Sequence, residues 1–178
     1  MKKLLFSLFS LSILFVVSAC SSDDDPKVQK FFNGDCKQVV SLESGPAGSP
    51  ITNKKESNLD DMLSDINGYG WPIVSGELIV AGSNTSAKVV GLPEGVVLKN
   101  VIININGIKH EFGDISNENA NLNLYTDAND KFFKDAFATL VPKKKMVTEV
   151  TFTPSERIRE DVSLEIIFSG KYSYWVKQ

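Results

Sequence analysis

The stretch Val101-Ile-Ile-Asn-Ile-Asn-Gly-Ile-Lys-His-Glu-Phe112 decides the fold. Asn106-Gly107 is the preferred pair for a two-residue type I′ turn, because both central residues of that turn need positive φ. β-Branched residues flank it on both sides. Closing the hairpin sets Ile105 opposite Ile108, Ile103 opposite His110 and Val101 opposite Phe112. One face of the hairpin is then apolar except at His110, which is the pattern of an antiparallel sheet with one side turned to a core.

The segment Val162 to Val176 offers a choice between one long strand and a hairpin turning at Ser169-Gly170. In a continuous strand Val162, Leu164, Ile166, Phe168, Tyr172, Tyr174 and Val176 share one face, since side chains alternate with period two. A two-residue hairpin sets Phe168 across from Lys171 and Ile166 across from Ser173, mixing charge into that face. The single strand is the better reading, with a bend or bulge at Gly170. Further strands are expected at Glu77 to Ala81, Ala87 to Val90, Val96 to Lys99 and Met146 to Thr153.

Two short helices connect them. Leu59, Met62, Leu63 and Ile66 fall at i, i+3, i+4 and i+7, with Asn58 to cap the start and Gly68 to stop it. Phe133, Ala136, Phe137, Leu140 and Val141 form a second stripe, with Thr126 or Asp127 as cap and Pro142 preventing continuation. Seven or so strands with two helical connectors predict a mainly β fold, an antiparallel β-sandwich; a partly open barrel is the alternative. The likeness to immunoglobulin-like modules is architectural, because the paired cysteines of that family are absent.

The chain has 178 residues, 42% of them hydrophobic and 23% charged, in keeping with one folded domain. A net charge of -3 argues against a nucleic-acid partner, and Lys143-Lys144-Lys145 reads as a solvated turn. Lys2-Lys3, the apolar run Leu4 to Val17 and the small pair Ser18-Ala19 describe a secretory signal. Val17-Ser18-Ala19-Cys20 resembles the lipobox of bacterial lipoproteins, and Ser22-Asp23-Asp24-Asp25 is similar to the acidic export signal of Bacteroidota surface lipoproteins. The resemblance implies lipidation at Cys20, membrane attachment through an N-terminal lipid anchor, and display on the outer membrane. Residues 1–19 are then a signal peptide, 20–30 a lipidated tether and 31–178 a single β-rich domain. With Cys20 lipidated, Cys36 has no disulfide partner, so stability must come from a hydrophobic core.

Catalytic, cofactor and metal-binding patterns are not recognised in the sequence. Its one histidine, His110, lies on the apolar side of the hairpin and reads as a satisfied, partly buried imidazole. A pairing of Cys36 with His110 has no support from spacing. Asp127 to Asp135 begins like a calcium loop, but Lys131 takes a ligand place and the required glycine is missing. Aromatic residues are the remaining lead. Tyr69 and Trp71 stand in a Gly- and Pro-bounded loop, and Trp175 points away from the core face of its strand. The expected function is non-enzymatic: a surface lipoprotein whose sandwich binds a glycan or protein ligand, with Tyr69, Trp71 and Trp175 as candidates. The alternative is a structural or accessory component of an envelope assembly. Fimbrial lipoproteins are similar in having a lipobox, but they mature by cleavage after an arginine, and Arg157 and Arg159 come too late for such a cut.

Overall fold

A computed structural model describes residues 27–43, 45–63, 73–79, 84–122, 126–158 and 161–177. The elements run β1 (Lys27–Ser41), β2 (Ile51–Asn58), α1 (Leu59–Met62), β3 (Ile73–Leu78), β4 (Ser86–Val90), β5 (Leu98–Ile105), β6 (Ile108–Ile115), β7 (Asn121–Leu122), α2 (Asp127–Ala138), α3 (Leu140–Lys143), β8 (Lys145–Pro154) and β9 (Ser163–Lys177). They form the expected two-layer antiparallel β-sandwich. One sheet has five strands in the order β1-β9-β4-β7 with β3 also on β9; the other has four in the order β2-β8-β5-β6. Neither closes into a barrel.

β9 organises the five-stranded sheet. Its inward residues Leu164, Ile166, Phe168, Tyr172 and Tyr174 are buried, as is Val162 just before it, so the single-strand reading holds. On one flank β1 pairs with it without a slip from Lys27↔Lys177 to Ser41↔Ser163. On the other flank β4 covers Ser163 to Ile167, and β3 covers Gly170 to Tyr174. The expected bulge at Gly170 is not there; the irregularity lies on β3, at Val74. Gly170 is instead required by its neighbour. A Cβ there would come within 2.8 Å of the Tyr172 ring, which lies across it.

β1 begins within the stretch expected to be tether: Lys27 to Lys30 already pair with β9. Its inward positions include Gly34 and Gln38, which hide the apolar alternation of Phe32, Cys36 and Val40. Gln38 is buried and joins the two layers, its Nε2 donating to Ser57 Oγ at 3.0 Å and to the Met146 carbonyl at 3.1 Å. β2 went unread because Ile51 is its one large apolar residue. It forms an edge of the four-stranded sheet, where charged residues discourage further pairing.

The Asn106-Gly107 turn forms with φ of 53° and 96°. Ile105↔Ile108 and Ile103↔His110 pair as expected, whereas Val101 pairs with Gly113. The slip places an unpaired residue, Phe112, on β6, and a bulge of this kind re-aims its side chain. Phe112 turns onto Phe132 of α2, ring centroids 5.7 Å apart. Asn106 does more than turn the chain. Its Nδ2 donates to Thr139 Oγ1 and the Lys145 carbonyl, both at 2.9 Å, and its Oδ1 accepts from Val147 N.

α2 is a wedge between the layers. Phe132 faces His110 and Phe112 of the four-stranded sheet, while Phe133 and Phe137 meet Phe168, and Phe137 also Tyr172, of the other. Thr126 caps it through Asn129 N. Pro142 does not end the helical path, because it sits in the first turn of α3, where backbone N–H groups have no intrahelical partner to lose. α1 is a single turn. Asn58 makes no cap bond and donates instead to Asp61 Oδ2, while Ile66 and Gly68 lie outside the described residues.

Candidate functional site

The two outer faces of the sandwich differ in kind. On the four-stranded sheet, outward side chains satisfy one another across strands. Thr52 meets Thr151 at 2.8 Å, Lys54 meets Glu149 at 2.9 Å, Lys145 meets Glu56 at 2.8 Å, and Asn104 donates to the second oxygen of Glu149. The Lys54 hydrogen bond holds the Glu149 carboxyl below the usual carboxylate range. Such a surface presents little for a partner to desolvate profitably.

All five exposed large hydrophobic side chains among the described residues belong to the five-stranded sheet: Phe31 (57%), Trp175 (43%), Val74 (43%), Val39 (42%) and Val90 (36%). Phe31, Val39, Val90 and Trp175 take outward register positions, and Val74 is the bulged residue of β3. Lys171 stands over the Phe31 ring at 5.1 Å. Ser173, directly opposite Phe31, is buried and hydrogen-bonded to Ser75 Oγ at 2.5 Å and Gln29 Nε2 at 3.1 Å.

Farther along the same strands lies an open hollow of about 370 Å³ lined by Asn33, Gly34, Asp35, Ile79, Asn84, Ser169 and Gly170. Register builds it. Gly34 and Gly170 are directly paired, and β3 departs from β9 there before β4 begins. Its rim is fixed by hydrogen bonds: Ser169 Oγ donates to Asp35 Oδ1 at 2.7 Å, Ser169 N donates to Thr85 Oγ1, and Thr85 Oγ1 donates to the Ile79 carbonyl. One carboxylate, two amide side chains and a hydroxyl thus meet on a backbone floor.

The groups weighed for chemistry are engaged elsewhere. His110 Nε2 pairs with Asn129 Oδ1 at 2.9 Å and stacks on Phe132, a structural role. Cys36 is wholly buried with its Sγ 3.8 Å from Met62 Sδ, and burial pushes its thiol up to about 12, so it is not a ready nucleophile. Asp130 and Asp135 of the calcium-like stretch pair with Lys134 and Lys131. Among the described residues no group of three His, Cys, Asp or Glu converges as a metal site, and no helix is long and apolar enough to cross a membrane.

Of the expected site residues, Trp175 is half-exposed on the outer face, as its odd position in β9 implies. Cys20, Ser22, Asp23, Asp24, Asp25, Tyr69 and Trp71 lie outside the described residues. Trp175 pairs with Gln29 and Ser169 with Asp35, six residues apart along β9, about 20 Å. Phe31, Asn33, Asp35, Asn84, Ser169 and Lys171 were not singled out from sequence. Once β1 is read as a strand, its odd positions mark Phe31, Asn33 and Asp35 as outward. No protein-family model matches the chain, and neither does any curated protein or solved structure.

Proposed function

We propose that this chain is an outer-membrane lipoprotein, acylated at Cys20, that displays a non-enzymatic β-sandwich and binds a glycan or protein ligand through the outer face of its five-stranded sheet. The observation that carries the reading is the contrast between the faces: one is closed by its own cross-strand pairs, the other exposes apolar side chains beside a polar hollow. That the exposed large apolar side chains among the described residues all fall on this sheet supports an interaction surface on that side. Within that surface the hollow favours a glycan. Asn33, Asp35, Asn84 and Ser169 bring the amide, carboxylate and hydroxyl groups that exchange hydrogen bonds with sugar hydroxyls; β1 and β9 hold Asn33, Asp35 and Ser169, and Asn84 comes from the turn before β4. The address rests on the lipobox and the acidic stretch behind it.

The test is titration calorimetry against a panel of bacterial and host glycans, with Asn33→Ala and Asp35→Ala as the diagnostic variants. Binding that falls at least tenfold in both, with unchanged melting temperature, supports the reading. Binding indifferent to both substitutions, or none at all, defeats the glycan assignment. A structural role in an envelope assembly is the second reading, favoured by β1, a 15-residue edge strand that offers a long line of backbone groups to an incoming strand. Crosslinking on intact cells decides between the two: a stoichiometric protein partner on β1 belongs to an assembly.

A further inference from the structure

We infer that the end of the five-stranded sheet carrying Phe31, Val74 and Trp175 rests on the lipid surface in which Cys20 is anchored. This rests on the reading of Cys20 as acylated, and it assigns the aromatic end to lipid while leaving the hollow to a ligand.

Chain length is the first argument. β1 starts at Lys27, 27 − 20 = 7 residues after Cys20, so its first residue lies within about 25 Å of the acylated one even if the intervening chain is fully extended. Lys27 pairs with Lys177, Gln29 with Trp175 and Phe31 with Ser173, and Ile73 pairs with Tyr174 beside the Val74 bulge. Phe31 therefore stands about 13 Å along the strand from the tethered end, whereas Val39 stands about 40 Å along it. Three of the five exposed large hydrophobics cluster at the end that cannot leave the membrane's neighbourhood.

Composition is the second. Lys27 and Lys177 form the terminal pair of the ladder, Lys171 is exposed on the same face over Phe31, and Glu77, opposite Lys171, is the acidic residue among those register positions. An aromatic ring at headgroup depth with lysines reaching phosphate is the composition that settles at a bilayer interface. A short tether makes weak affinity sufficient. The patch meets the surface as an intramolecular partner at high effective concentration, so a few partly buried side chains orient the domain without needing to bind lipid from solution. A soluble ligand at this end would have to enter the gap between domain and membrane. The hollow at Asp35 and Ser169 lies farther along and is open to it.

The test uses the acylated protein reconstituted into phosphatidylcholine vesicles with and without phosphatidylglycerol. The chain has two tryptophans, so Trp71→Phe leaves Trp175 as the sole reporter. Expected are strong quenching of Trp175 by lipids brominated high on the acyl chain, weak quenching by aqueous acrylamide, and loss of both effects in Phe31→Ser. If Trp71→Phe does not fold, a nitroxide on Val74→Cys reads the same depth from its accessibility to oxygen against a polar relaxant. Full acrylamide accessibility with no effect of brominated lipid overturns the inference. So does a Trp175 shielded on intact cells yet water-accessible in vesicles, which gives this end to a protein or glycan partner. Mass analysis of the N-terminal peptide is read separately. Absence of acyl chains on Cys20 removes the anchor reading and this inference with it, whereas an acylated Cys20 with an exposed Trp175 removes the inference alone.

Discussion

Replacing Gly170 with alanine should destabilise the domain, although glycine in a strand is ordinarily the weaker residue. The added methyl would fall 2.8 Å from Cε2 and Cζ of Tyr172 and 2.9 Å from its Oη, against the 3.4 Å or more of ordinary contact. The ring has no easy retreat. It is buried and stacked on Phe32 with centroids 5.3 Å apart and an interplanar angle of 24°, and it lies 6.0 Å from Phe137 of the wedge helix. Overpacking of this kind costs about 1–3 kcal/mol. Removing the glycine's freedom in the unfolded chain returns about 0.5–1 kcal/mol. The net is a loss of up to about 2.5 kcal/mol, with about 1 kcal/mol at the middle of the range, or a fall in Tm of up to about 10 °C for a domain of this size. Urea unfolding followed by far-UV circular dichroism measures it, with m unchanged if the folded state keeps its compactness. In a Tyr172→Leu background the obstruction is gone, and the same substitution should become neutral or stabilising, a coupling of about 1 kcal/mol or more in a double-mutant cycle. A Gly170→Ala effect of the same size with Tyr172 and with Leu at that position would refute the account of why glycine stands there.

Three further outcomes follow from buried polar groups. Tyr172 carries a hydroxyl with no hydrogen-bond partner, and burial holds it in the neutral form; Tyr172→Phe should therefore leave stability unchanged or raise it by up to about 1 kcal/mol in urea melts. Asn106→Ala removes two donated bonds and one accepted bond that join the β5–β6 turn to β8 and to Thr139. It should cost about 2–4 kcal/mol, with the amide of Val147, which donates to Asn106 Oδ1, losing hydrogen-exchange protection first. For Cys36 the thiol holds its proton more tightly folded than unfolded, since its pKa rises from 9.0 to about 12. Stability from this group is complete below pH 9 and declines as pH rises toward 12, by at most about 1.4 kcal/mol per pH unit. Cys36→Ala should flatten that decline, and native Cys36 should resist alkylation at pH 8 until denaturant is added.

What sequence conveys here depends on whether periodicity survives at the inward positions. β9 announces itself because Val162, Leu164, Ile166, Phe168, Tyr172 and Tyr174 are all apolar, and the same parity turns Trp175 outward. β1 has equal length but spends inward positions on a glycine and a glutamine, so its alternation dissolves. β2 is an exposed edge held by cross-strand charge rather than by burial. The hairpin was legible to its second pair and no further, because the bulge at Phe112 answers to a helix about twenty residues downstream. The hollow was invisible for a different reason: Asp35 and Ser169 are 134 residues apart, and only the register of the first strand on the last brings them together.

That register also dictates an order of events. The four-stranded sheet draws on β2, β5, β6 and β8 and is complete once β8 is available, whereas β1, β3 and β4 all pair with β9, the last strand among the described residues. Pairing Lys27 with Lys177 closes a loop spanning almost the whole domain, the kind of non-local contact that makes folding slow. A chain whose last strand is still held back, as on a ribosome, therefore has the five-stranded half of its sandwich unmade. The two layers can close on each other only once β9 is free to take its place between β1 and β4.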